Sequence, residues 1–300
     1  MATILAENFT DPGCPWAFSA EPALLALRWR YGDQIAWVPR MIVLSERPEE
    51  VLEKGFTPER QASALAALGE RFGMPIDAAQ RPRMQAQILP ARAVVAARRH
   101  APDHAEALLR RLRVLQMGGA MTDEPAVLDR AAREAGLPPR ELRAWMREPE
   151  TEDELRDDMA AARSPLPAAL ALDHKLAPAG EGRRYTCPTL VLHPEEGRTL
   201  ALPGFQPVEA YEALIANADP ALERRSAPES VEDLLAWAPW PLATAEIAAV
   251  MELEADDARR RLEEAGTCRD GYWTLSAPAR SRAGAAQPRG PAADRAPGAR

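Results

Sequence analysis

The chain opens on an apolar-rich run, Thr3 to Phe9, that breaks at Thr10-Asp11-Pro12-Gly13, the pattern of a short buried strand entering a turn. A helix is expected next. Pro15 suits a first helical position, and Trp16, Phe18, Ala23, Leu24 and Leu27 carry an apolar pattern to Gly32, with a kink expected at Pro22. Cys14 is then the N-cap. The run Gln34 to Leu44 reads as a second strand, which makes a strand, helix, strand unit. From Ser45 to Lys175 the texture is Ala, Leu, Glu and Arg with helical periodicity and frequent prolines, with helices predicted over Glu59–Phe72, Ala91–Ala101, Ala105–Gln116, Pro125–Ala135 and Pro139–Arg147. Strand signals return at Thr189–Leu192 and Thr199–Leu202, a hairpin around Pro194–Gly197, followed by a helix over Pro207–Asn217. Three short helices (Glu229–Trp237, Thr244–Met251, Ala255–Ala265) and a strand (Asp270–Leu275) have the order of a small winged-helix module. Ser276 to Arg300 has no apolar periodicity and reads as a disordered tail.

Composition narrows the function classes. With 300 residues, 46% of them hydrophobic, and a net charge of −8, the chain reads as a globular protein of about two domains. No apolar run approaches the ~20 residues of a membrane span, and Glu7, Asp11 and Pro12 interrupt any signal-peptide pattern. A cytoplasmic location is expected. The three cysteines, Cys14, Cys187 and Cys268, are too few and too scattered for a disulfide framework. Neither a Cys-x-x-Cys pair nor a glycine-rich phosphate loop nor Gly-x-Ser-x-Gly occurs.

The chemistry-bearing stretch is Asp11-Pro12-Gly13-Cys14-Pro15-Trp16-Ala17. A cysteine at a helix N-terminus meets free N–H groups and the positive end of the helix dipole, which favour the nucleophilic thiolate. The bland reading is a buried structural cysteine, since cysteine is among the most buried residue types. Trp16 reads as packing beside the thiol or lining its groove. His193 is read as a turn residue, and the His100/His104 pair is discounted as a zinc site because Pro102 interrupts the helix between them.

Phe9-Thr10-Asp11-Pro12-Gly13-Cys14-Pro15-Trp16 resembles the opening of the DsbA family of the thioredoxin superfamily, and Tyr185-Thr186-Cys187-Pro188-Thr189-Leu190-Val191 resembles that fold's cis-proline loop. The resemblance implies an α/β thioredoxin fold with a helical insertion: a discontinuous core over residues 1–44 and 184–218, an insertion over 45–183, a winged-helix-like module over 228–276 and the tail 277–300. It implies a site made of Cys14, Pro15, Trp16, Cys187 and Pro188. Ala17 stands where a dithiol enzyme carries its second cysteine, so the usual dithiol cycle is closed to this chain. The resolving group is then a low-molecular-weight thiol, acting as co-substrate with no cofactor, or Cys187. Alternatively Cys187 only fills a position usually held by Thr or Val.

Thiol–disulfide exchange on a small thiol or a protein disulfide is the expected activity. A kappa glutathione-transferase or hydroxychromene-carboxylate isomerase type of enzyme, or a non-catalytic redox-sensing binding protein, are the alternatives. For the C-terminal module, four arginines against eleven acidic residues between Glu229 and Ser276 make a DNA partner unfavourable despite Arg259-Arg260-Arg261. Protein docking or dimerisation is expected of it instead.

Overall fold

The architecture was derived from a computed structural model of the chain, which describes residues 3–276. The tail expected over 277–300 lies outside the described residues. In order, the elements are β1 (Ile4–Thr10), α1 (Pro15–Ser19), α2 (Glu21–Tyr31), β2 (Ile35–Met41), α3 (Pro48–Glu53), α4 (Pro58–Phe72), α5 (Ile88–His100), α6 (Pro102–Met117), α7 (Pro125–Glu134), α8 (Pro139–Trp145), α9 (Pro149–Ala162) and α10 (Pro167–Leu170). There follow β3 (Leu176–Ala179), β4 (Gly182–Tyr185), β5 (Thr189–Pro194), β6 (Leu200–Pro203), α11 (Val208–Ala218), α12 (Val231–Trp237), β7 (Leu242–Ala243), α13 (Thr244–Met251), α14 (Ala255–Ala265), β8 (Gly266–Arg269) and β9 (Tyr272–Leu275).

The main sheet has the order β2-β1-β5-β6, with β1 parallel to β2 and antiparallel to β5, and β6 antiparallel to β5. This is the thioredoxin-like α/β arrangement. Leu190 and Leu192 of β5 join Ile4, Leu24, Leu27 and Tyr211 on one face. Val191 joins Phe9, Ile42 and Tyr185 on the other. Both faces are therefore covered, which is why β5 is a continuous apolar run rather than an alternating one.

Proline punctuates the helical insertion. Nine of the helices, among them α1, α4, α6, α7 and α9, carry proline at their first or second position, where its missing N–H costs nothing and its fixed φ favours entry. Thr57 caps α4 by accepting the Arg60 N–H, and Gly73 ends it in the left-handed region (φ 69°). Ala93 to Ala97 of α5 are fully buried between α6, α8 and α9, so α5 is the insertion's central helix.

Three expectations need correction. The helix expected from Pro15 to Gly32 is two helices, broken at Ala20 and not at Pro22; proline cannot donate to the turn before it, so the ladder stops upstream of its ring. The insertion expected over 45–183 is helical only up to Lys175: the antiparallel ribbon β3–β4 follows and straddles the 183 boundary, its four-residue strands too short to signal themselves. Helices α3, α9 and α10 lie inside the stretch expected to be helical, although it gave them no bounds of their own. His193 lies within β5 rather than in a turn.

The C-terminal segment has the order helix, strand, helix, helix, strand, strand, with a sheet of order β7-β9-β8. It shares a core with the thioredoxin-like unit. Leu25, Ala26 and Trp29 of α2 pack among Val231, Leu234, Ile247, Val250 and Trp273, and Trp29 meets Trp237 edge-on at 5.1 Å. Its apolar face is thus spent within the same chain.

Candidate active site

Cys14 stands where β1, the Asp11–Gly13 turn and α1 meet. Its backbone is extended (φ −79°, ψ 112°), its N–H bonds the Asp11 carbonyl at 3.3 Å, and Pro15 begins the helix. The thiol is nearly buried (4% exposed) and donates to the Cys187 carbonyl at 3.5 Å. The Cys187–Pro188 peptide is cis. β1 and β5 are adjacent strands, so their ends bring together two cysteines that lie 173 residues apart in sequence. Both are free thiols.

The two thiols are not equivalent. The Cys187 side chain, as hydrogen-bond partner, lowers the Cys14 pKa below the ordinary thiol value; burial opposes this, and the Ala17 and Trp16 N–H groups assist while the Asp11 charge resists. For Cys187, burial raises the pKa well above the ordinary value, and contact with Cys14 adds to the rise. Of the two thiols Cys14 is therefore the more acidic and Cys187 the one that keeps its proton longer.

Asp11 forms the floor. It is fully buried and accepts from the Gly13 N–H at 2.7 Å and the Leu44 N–H at 2.8 Å. Burial nevertheless raises its pKa to about 6, the backbone bonds pulling against it. Leu44 is brought there by Val43, a β-branched residue at φ 57°, a strained conformation that the flanking Ile42 N–H to Thr10 carbonyl bond (2.9 Å) helps to hold. Gly13 has no room for a side chain: a Cβ would lie 2.4 Å from the amides of Gln87 and Gln116.

Trp16 is 41% exposed at the rim. Its ring lies 5.9 Å from Phe72 and 5.8 Å from Phe205, and those two are 4.6 Å apart, so three elements present one aromatic edge. Arg184, half-buried on β4, has its pKa lowered by burial while the Cys187, Asp11 and Cys14 charges pull upward. Pro15 and Pro188 sit at the helix start and the strand entry, so all five residues predicted from sequence converge.

Other candidates disperse. His193 pairs with Glu7 at 2.9 Å, His100 stacks on Trp145 and bonds Glu148 at 2.7 Å, and His104 bonds the Ala135 carbonyl at 3.0 Å. Among the described residues no group of three or more His, Cys, Asp or Glu side chains could hold a metal ion, and no helix is long and apolar enough to cross a membrane.

Residues 6–165 match the family model described as a DSBA-like thioredoxin domain. The chain belongs to that family. No curated protein matches it. Among solved structures, this DSBA-like chain is similar to a putative protein disulfide isomerase from Nitrosomonas europaea (16% identity over 72% of this chain and 97% of that one, TM-score 0.55). It is also similar to a probable DsbA oxidoreductase from Streptomyces coelicolor (19%, 75% and 93%, TM-score 0.52). A third is the cytosolic disulfide reductase DsbM from Pseudomonas aeruginosa (19%, 71% and 97%, TM-score 0.51). At these identities the likeness is one of fold.

Several residues at or behind the site were missed from sequence: Arg184, Phe72 and Phe205, together with Thr10, whose hydroxyl lies 4.0 Å from the Cys187 Sγ, and Arg113, which donates to that hydroxyl and pairs with Glu21. Arg113 left a trace, since it shares a helical face with Leu109, Leu112 and Gln116, where a charge has no reason to be unless it is paired. The others depend on distant elements and left none.

Proposed function

We propose that this protein is a thiol–disulfide exchange enzyme with Cys14 as nucleophile and Cys187 as resolving group. The observation that carries this is the Cys14 thiol against the Cys187 carbonyl, with an acidic thiol at 14 and a proton-holding one at 187. The Cys14 thiolate attacks one sulfur of a substrate disulfide, forming a mixed disulfide and releasing the other half as a thiolate, which takes up a proton. Cys187 then loses its proton and attacks the Cys14 sulfur, releasing the second substrate thiol and leaving a Cys14–Cys187 disulfide. The substrate has gained two electrons and the pair has lost two. Two equivalents of a low-molecular-weight thiol return the pair to the reduced state and leave as their own disulfide.

The high pKa of Cys187 supports a second reading, in which a small thiol resolves the mixed disulfide directly and Cys187 only donates its proton. That version is the one shared with kappa glutathione-transferase-like chemistry. Pro15 starts the helix that presents Cys14, Trp16 lines the approach, and Pro188 holds Cys187 against the nucleophile. Free, scattered cysteines support a reducing compartment such as the cytoplasm. The order and sheet of the C-terminal segment support a winged-helix-like module, and its acidity supports a docking role over DNA binding.

The test is reaction with glutathione disulfide and with a peptide disulfide, followed by mass spectrometry, for wild type, Cys14→Ser and Cys187→Ser. Cys14→Ser is expected to be inert. If Cys187→Ser accumulates the mixed disulfide on Cys14, Cys187 is the resolving group; if it turns over like wild type with a small thiol present, the second reading holds. Turnover by Cys14→Ser contradicts both.

A further inference from the structure

A line of buried charges runs from the C-terminal module to the thiol pair, and the exchange chemistry proposed above does not use it. Glu246 of α13 is fully buried, and its Oε2 accepts from the Arg110 Nη2 at 2.7 Å and from the Ala243 N–H at 2.7 Å. Arg110, on α6, places its Nη1 3.6 Å from Glu21 Oε2. The other oxygen of Glu21 holds Arg113 Nη1, one turn along α6. The second nitrogen of Arg113, Nη2, donates to Thr10 Oγ1, and that hydroxyl lies 4.0 Å from the Cys187 Sγ. All four charged side chains are at most 8% exposed.

The signs alternate along this line: Glu246, Arg110, Glu21, Arg113. The group is neutral, which is the condition under which buried charges persist. Glu246 is the only member supplied by the C-terminal module. Without its charge, two guanidiniums must share Glu21. Arg110 then draws on the carboxylate that holds Arg113, and the hold of Arg113 on Thr10 weakens. Water or a displaced side chain entering to serve Arg110 would loosen the same contact.

We propose that Glu246 is a positioning residue for the redox site: by neutralising Arg110 it leaves Glu21 to fix Arg113, and Arg113 to hold Thr10 against Cys187. The C-terminal module is on this account a working part of the thiol site. The inference rests on the reading that Cys14 and Cys187 act as a pair.

The experiment is the iodoacetamide alkylation rate of each cysteine in the reduced full-length protein, read by peptide mass spectrometry, with exposed Cys268 as internal reference. Wild type is compared with Glu246→Gln and with the double variant Arg110→Gln/Glu246→Gln. In Glu246→Gln, the loosened contact and the net positive charge both speed Cys187, by tenfold or more relative to Cys268. The double variant restores neutrality and returns Glu21 to Arg113, so Cys187 falls back to within about threefold of wild type. A merely structural role predicts otherwise, because the double variant has lost both partners of the buried pair and would be at least as open as the single.

A Cys187 rate within twofold of wild type in Glu246→Gln, or a double variant as fast as the single, overturns the proposal. Should Glu246→Gln fail to fold, Glu246→Asp keeps the charge and withdraws it by one methylene. Threefold acceleration of Cys187 is then expected, and a rate within twofold of wild type overturns the proposal. The parent reading fails on a different signal, an ordinary thiol titration of Cys14 in the wild-type protein.

Discussion

Asp11 Oδ2 accepts the Leu44 N–H at 2.8 Å, which ties the floor beneath Cys14 to the strained Val43 that follows β2. A carboxylate here is both hydrogen-bonded and out of water. Burial wins, and the group titrates at about 6 in the folded chain against 3.8 for the free side chain.

Folding therefore binds a proton at Asp11 across that interval, so this group's contribution to stability is fully present below pH 3.8 and is lost as pH rises through about 6. The contribution at stake is on the order of 3 kcal/mol. Asp11→Asn removes this titration, and the fall in urea-unfolding free energy from pH 4 to pH 6.5 is expected to flatten. Asp11 also holds the Cys14 pKa up, so the same variant is expected to titrate Cys14 lower. An unchanged pH slope would contradict the assignment.

Gly13→Ala tests the packing under the nucleophile. The added Cβ falls 2.4 Å from the buried amides of Gln87 and Gln116, and Gln116 is itself held by the Thr122 hydroxyl at 2.6 Å. A cost of about 1–3 kcal/mol in urea unfolding is expected from such overpacking. The Cys14 alkylation rate should change with it, because the turn that sets the N-cap has to move.

Ala17→Cys restores a second thiol on the first turn of α1. The expected outcome is that the double variant Ala17→Cys/Cys187→Ser completes the exchange cycle that Cys187→Ser alone cannot. A disulfide between Cys14 and the introduced thiol should be found by mass spectrometry after oxidation. Absence of turnover in the double variant would show that Cys187 does more than supply a sulfur.

The aromatic edge of Trp16, Phe72 and Phe205 is expected to serve large substrates. Trp16→Ala should leave stability nearly unchanged, because Trp16 is 41% exposed. Its kcat/KM for a peptide disulfide should fall about tenfold, the scale of one lost aromatic contact, while glutathione disulfide is little affected. Equal losses for both substrates would place Trp16 in the chemistry instead.

Much of this was legible in the chain itself because proline and glycine mark its boundaries. Pro58, Pro102, Pro125 and Pro139 begin the helices predicted near them, and Cys14-Pro15-Trp16 with Cys187-Pro188 named the two ends of the site. The β3–β4 ribbon and the break at Ala20 were invisible, since four-residue strands and a single turn residue that keeps right-handed helical angles leave no periodicity. Local pattern is also silent on charge partners from far along the chain. Arg110 looks like ordinary helix surface until α2 and α13 close over it, and the apolar face that carries Arg113 does not say which carboxylate pairs with it. The docking of the C-terminal module was likewise hidden, because Trp29 and Trp237 meet only in three dimensions.

The central claim is that Cys14 is an activated thiolate paired with Cys187, and the pH dependence of its alkylation by iodoacetamide tests it most directly. The account predicts that Cys14 titrates below the ordinary thiol value near 9.0, that Cys187 titrates above it, and that mild peroxide joins the two. Cys14 titrating at or above the ordinary value, with no Cys14–Cys187 disulfide after oxidation, would contradict it.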